Sequence, residues 1–137
     1  MKKVLIASPT SISKIYCDFD FIDNIMLTNY PDYTIRLFDN TMDNGGYCDR
    51  LNDYYKNKYG NNDKFQCIRT VVEGLEESLI SRICASHNQV RDYAIDNNYS
   101  ALWHVESDVF AGPNFLQELI LHNKAVVGAL YYRDFGS

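Results

Sequence analysis

Ala101-Leu102-Trp103-His104-Val105-Glu106-Ser107-Asp108 is the stretch on which the reading of this chain turns. The apolar run over 101–105 reads as a strand, and it leads directly into two carboxylates. Residues two apart on an extended chain share a face, so Glu106 and Asp108 can look into one cavity. Carboxylate oxygens placed in this way suit a hard divalent cation, Mg²⁺ or Mn²⁺, which could bridge to phosphate.

Elements of alternating type extend from this strand in both directions. Upstream, Leu75, Leu79, Ile83, Val90, Ala94 and Ile95 recur every three or four residues and predict a helix over 73–97, stopped at Asn97-Asn98, with a break near Ser86 left open. Downstream, Gly112-Pro113-Asn114 introduces a helix over 114–122, and a strand follows over 125–132. Nearer the N-terminus, strands are expected over 3–7, ending at Ser8-Pro9-Thr10, over 33–38, exiting into Asp39-Asn40-Thr41, and over 65–72. A helix is expected over 13–27, although Asp18-Phe19-Asp20-Phe21 also alternates like a strand, and a tyrosine-rich surface helix over 47–58. Strands alternating with helices predict an α/β domain with a parallel or mostly parallel sheet. Ligands of such sheets gather beyond the carboxyl ends of the strands, where this sequence places Pro9, Thr10, Asp39, Glu106, Ser107 and Asp108.

Composition narrows the function classes. A length of 137 residues with 46% hydrophobic content fits one domain over 1–137. A net charge of −5 with scattered Lys and Arg argues against a nucleic-acid partner, which needs a concentrated basic face. No apolar run approaches the roughly 18 to 20 residues of a membrane span, and the run after Lys2-Lys3 is cut short at Ser8-Pro9, so a cytoplasmic location is expected. Cys17, Cys48, Cys67 and Cys84 lack zinc-type spacing and are expected as reduced thiols. GxGxxG, GxxxxGK[ST] and GxSxG are all missing, which argues against a dinucleotide site, a P-loop and a nucleophile elbow.

Trp103 to Phe110, then Phe115-Leu116-Gln117-Glu118-Leu119 after Gly112-Pro113, then Ala125-Val126-Val127-Gly128-Ala129-Leu130-Tyr131-Tyr132-Arg133, resembles the DxD region of the family-two-like GT-A glycosyltransferases. Asn88-Gln89-Val90-Arg91-Asp92-Tyr93-Ala94 is similar to the family's helix before that strand. The resemblance implies a Rossmann-like GT-A domain, its mostly parallel central sheet flanked by helices, that binds a nucleotide-diphosphate sugar and transfers the sugar to an acceptor it does not identify. It places Asp108, assisted by Glu106, on Mn²⁺ or Mg²⁺, with Ser107 between them. Asp39 falls on the base or ribose, Pro9 and Thr10 line the nucleoside pocket, and Arg91 reaches the diphosphate. Glu106 departs from the family's Asp-x-Asp. The acceptor half and a catalytic base lie further along in complete family members, so a partner subunit or a homo-oligomer is also considered.

Blander readings stand beside each of these. Glu106 and Asp108 could belong to a strand-end turn capping the next helix, Asp39 to an Asx turn, and Arg91 to a solvated face paired with Asp92 or Asp96. His104 either completes a three-ligand set with Glu106 and Asp108 or is a satisfied core histidine. At the level of function, the alternatives are a non-catalytic nucleotide-sugar-binding or interaction module and a metal-dependent phosphate-ester hydrolase.

Overall fold

In the computed structural model, which describes residues 1–70 and 78–128, the first apolar run forms β1 (Val4–Thr10). It outlasts its predicted end because β2 (Tyr33–Asp39) pairs with it in parallel along its whole length, from Val4 opposite Tyr33 to Thr10 opposite Asp39. β3 (Phe65–Arg69) adds to the far side of β2, and β4 (Ala101–His104) pairs with the other side of β1. The described sheet is all parallel, in the order β3-β2-β1-β4.

Pro9 lies inside a central strand because β4 stops short of it. β4 pairs only with Val4 to Ala7. The Ala7 carbonyl accepts from Val105 N on the β4 side, and the Thr10 carbonyl accepts from Asn40 N on the β2 side. By that alternation the nitrogen of Pro9 faces the side that β4 has left, so no ladder bond is lost.

A 3-10 turn (Ile12–Lys14) follows β1, and the predicted 13–27 helix is confined to α1 (Asp18–Ile25). Asp18, Phe21, Ile22 and Ile25 make its buried face, so helical periodicity prevails over the local alternation. α2 (Gly46–Tyr59) is closed by Gly60 and started by the Asp43 side chain, which accepts from Gly45 N at 2.8 Å and Tyr47 N at 3.2 Å. Gly45 has φ +89°, and a Cβ there would lie 3.1 Å from Arg69 Cδ, so this turn requires glycine.

α3 (Leu79–Asp96) runs unbroken through Ser86, whose hydroxyl is satisfied by Thr70 (3.0 Å) and Asn40 (3.3 Å); the predicted portion over 73–77 lies outside the described residues. Its buried stripe is Ser86, Val90 and Ala94, whereas Leu79, Ile83 and Ile95 are exposed, so the apolar spacing located the helix without locating its inner face. β3 ends at Arg69, and positions 71 and 72 of the predicted strand lie outside the described residues. α4 (Phe115–Leu121) stands where expected. The predicted strand over 125–132 is not seen in its described part: 125–128 are irregular, with Val126 89% exposed, and 129–132 lie outside the described residues.

Alternation along the strands builds two layers. Val4, Ile6, Tyr33, Ile35 and Leu37 pack with residues of α1, α2 and α4, while Leu5, Ala7 and Phe38 pack with Val90 and Ala94 of α3. No described helix is long and apolar enough to cross a membrane. All four cysteines are free thiols.

Candidate functional site

The strand order reverses direction at β1: the chain moves outward from β1 through β2 to β3, then returns to β1's other side with β4. Such a switch point opens a crevice beyond the carboxyl ends of the two flanking strands. Here β1 runs on to Thr10 while β4 ends at His104, and polar side chains gather in the step between them.

At its centre is Asp18, the first residue of α1, with no exposed surface. Its Oδ2 accepts from Thr10 Oγ1 at 2.5 Å and from the hydroxyl of Tyr47, in the first turn of α2. Ser107 faces the same carboxyl and is itself buried, yet Asp18 Oδ1 and Ser107 Oγ each lack a directed hydrogen bond. Burial pushes the Asp18 carboxyl above its ordinary range despite the bonds from Thr10 and Tyr47. Burial, followed by the bond to Asp18, pushes the Tyr47 phenol up as well.

Asp39 ends β2 and is 1% exposed. One oxygen makes the Asx turn, accepting from Thr41 N at 3.0 Å and Thr41 Oγ1 at 2.5 Å. The other, Oδ2, is buried without a partner among the described residues. Burial raises its pKa against the opposing bonds from Thr41. Buried polar atoms are seldom left unpaired, and among the described residues Asp39 Oδ2 is such an atom, while Asp18 Oδ1 and Ser107 Oγ face each other without a well-aligned bond.

Glu106 and Asp108 lie on a turn closed by Val109 N to the Glu106 carbonyl at 3.1 Å, and both are exposed. Asp108 Oδ2 is 3.1 Å from Lys14 Nζ, and neither acidic side chain has a hydrogen bond to α4. Burial works to lower the Lys14 pKa, but the Asp108 hydrogen bond and charge outweigh it and the net shift is upward. Among the described residues no three His, Cys, Asp or Glu side chains are grouped as a metal cage, so the set of His104, Glu106 and Asp108 does not form. His104, exposed at the end of β4 and so not a core histidine, instead packs on His87 at 4.6 Å between ring centroids; partial desolvation of its ring and the His87 charge lower its pKa. Two carboxylates nevertheless fit Mg²⁺ or Mn²⁺, which commonly take one or two from the protein and the rest from phosphate and water.

The structure thus brings Thr10, Asp39, Ser107 and the Glu106–Asp108 turn to one edge, with half-buried Pro9 in the strand beside them. It does not bring Arg91, which sits on the exposed side of α3 paired with Asp92 at 2.9 Å. Asp18, Tyr47 and Lys14 belong to the site and escaped the sequence reading. Asp18 alone carried a signal, a charge at the head of the i, i+3, i+4, i+7 stripe it forms with Phe21, Ile22 and Ile25.

The described all-parallel sheet flanked by helices is a Rossmann-like α/β arrangement, consistent with the fold of glycosyltransferases. A crystal structure of S. aureus TarS, a glycosyltransferase, matches it with a TM-score of 0.54 and 14% sequence identity, over 87% of this chain and 31% of that one. The chain therefore spans about a third of the length of that neighbour, and the likeness is one of fold. No family model matches the chain, and no curated protein matches it significantly.

Proposed function

We propose that the chain binds a nucleotide-diphosphate sugar in the crevice between β1 and β4 and acts as the donor half of a glycosyl transfer. The observation that carries this reading is the buried acceptor Asp39 Oδ2, without a partner among the described residues, at the edge that ends in Glu106 and Asp108. In a dry site Asp39 Oδ2 is suited to accept from a base N–H or ribose hydroxyl, a discrimination that costs much when the partner is missing. Thr10 and Pro9 would form the floor beneath the nucleoside, and the Ser107 hydroxyl would meet the phosphate end. A divalent cation held by Asp108 with Glu106 would neutralise charge developing on the leaving diphosphate. Arg91 would have to abandon Asp92 to take part.

A second reading, a donor-binding module that does not itself transfer sugar, is favoured by one observation. Among the described residues three of the four carboxylates of this edge are already engaged, Asp18 and Asp39 buried and bonded to hydroxyls and Asp108 ion-paired with Lys14, and so are poorly placed to serve as a base. Transfer to acceptors by the isolated chain separates the two readings.

The test of the donor site is calorimetric titration with UDP, GDP and their sugar conjugates, with and without Mn²⁺, on the wild type and on Asp108→Ala. Metal-dependent binding weakened at least tenfold by the substitution is expected. Absence of nucleotide binding under every metal condition overturns the reading.

A further inference from the structure

The acidic turn already has a cation on it. Lys14 lies 94 residues before Asp108 in the chain, yet its Nζ is 3.1 Å from Asp108 Oδ2, with the two side chains 28% and 40% exposed. The charge of Glu106 acts on the same ammonium.

The turn that carries Lys14 is anchored. Lys14 N donates to the Ser11 carbonyl at 2.8 Å, and Ile12 N donates to Thr41 Oγ1 at 2.8 Å. Thr41 Oγ1 in turn donates to Asp39 Oδ1 at 2.5 Å. A continuous set of hydrogen bonds therefore runs from the carboxylate at the end of β2, through the 3-10 turn, to the lysine facing the acidic turn after β4.

We propose that Lys14 is the resident counter-cation of the Glu106–Asp108 turn and competes with a divalent cation for Asp108. An ammonium and a metal ion drawn to one carboxylate repel each other and divide its single negative charge. The four-carbon lysine stem can swing away when another anion draws the ammonium off, which a fixed guanidinium fork does less readily. Resting on the donor-site reading, the anion that draws it is the diphosphate: Lys14 moves to phosphate oxygens as the metal takes Asp108. Cation and nucleotide then bind with mutual support, and metal alone binds weakly.

The test uses Mn²⁺ alone, without nucleotide, and follows the loss of the free-ion electron paramagnetic resonance signal. Lys14→Met keeps the stem and removes the charge, and it is expected to bind Mn²⁺ at least fivefold more tightly than the wild type. Lys14→Arg keeps the charge and should stay within twofold of the wild type. Adding Asp108→Ala to Lys14→Met should abolish the gain, and thermal melts of each variant check that it is folded. Equal Mn²⁺ affinity in the wild type and Lys14→Met, no binding to either, or a gain that survives Asp108→Ala would each overturn the proposal. Nucleotide titration reports separately: a Mn²⁺ gain at Asp108 with no nucleotide binding upholds the competition and sinks the donor site.

Discussion

Asp18 occupies a position that helix periodicity reserves for an apolar residue, and its environment penalises its charge. Burial raises its pKa above the unfolded value of 3.8 against the bonds from Thr10 and Tyr47. The folded state therefore holds this proton to higher pH than the unfolded chain does. Stability from this group is full below about pH 3.8 and declines as pH rises through the folded pKa. Asp18→Asn keeps a carbonyl oxygen for Thr10 and Tyr47, and its amide can donate toward Ser107 Oγ, which now has no partner. We expect the variant to be more stable than the wild type at pH 7, by about 1 kcal/mol, with the difference vanishing near pH 3. Thermal melts across that pH range check it. A variant less stable at pH 7 would mean that the carboxylate charge is itself satisfied. A buried acid that lowers stability at neutral pH is the pattern of a residue retained for function.

At the scale of elements, the asparagines that look like compositional bias in the sequence act as substitute strand partners. Asn52 of α2 accepts from Cys67 N at 2.8 Å and donates to the Cys67 carbonyl at 3.1 Å, pairing the outer side of edge strand β3. Asn24 of α1 brackets Ala111 in the same way, both bonds at 3.1 Å, and so fixes the loop that follows Asp108. Periodicity revealed the strands and helices because apolar spacing is local. These brackets join residues 15 and 87 positions apart, and no local pattern announces them. The same limit explains the site: Thr10, Asp39 and Asp108 were legible as strand-end residues, whereas Lys14 and Tyr47 enter through long-range packing. Asn52→Ala leaves the part-buried Cys67 N–H without its protein partner and its carbonyl with only the weak Cys48 thiol donor at 3.1 Å, and should cost about 1 to 2 kcal/mol. Urea unfolding should show a lower midpoint at unchanged slope. An unchanged midpoint would show that water replaces the amide at no cost.

Across the described molecule the two layers are unequal. Among the described residues, seventeen buried residues form the cluster involving α1, α2 and α4, against five in the cluster beneath α3. α3 also presents Leu79, Ile80 and Ile83 to solvent, so part of its apolar surface adds nothing to its docking. Burial roughly proportional to contact area implies that α3 can lift away while β1, β2, α1 and α2 stay assembled. Native-state hydrogen exchange in low denaturant should show it: α3 amides open with a smaller denaturant slope than those of β1 and β2. Leu51 sharpens the test, because it is fully buried in the larger cluster and keeps its contacts when α3 departs. Leu51→Ala should lower the opening free energy of β1 and β2 amides by about 3 kcal/mol. It should leave that of α3 unchanged as long as α3 opens by itself. If all amides share one slope and fall together, the sheet and its two layers are a single cooperative unit, and the crevice between β1 and β4 cannot loosen without unfolding the domain.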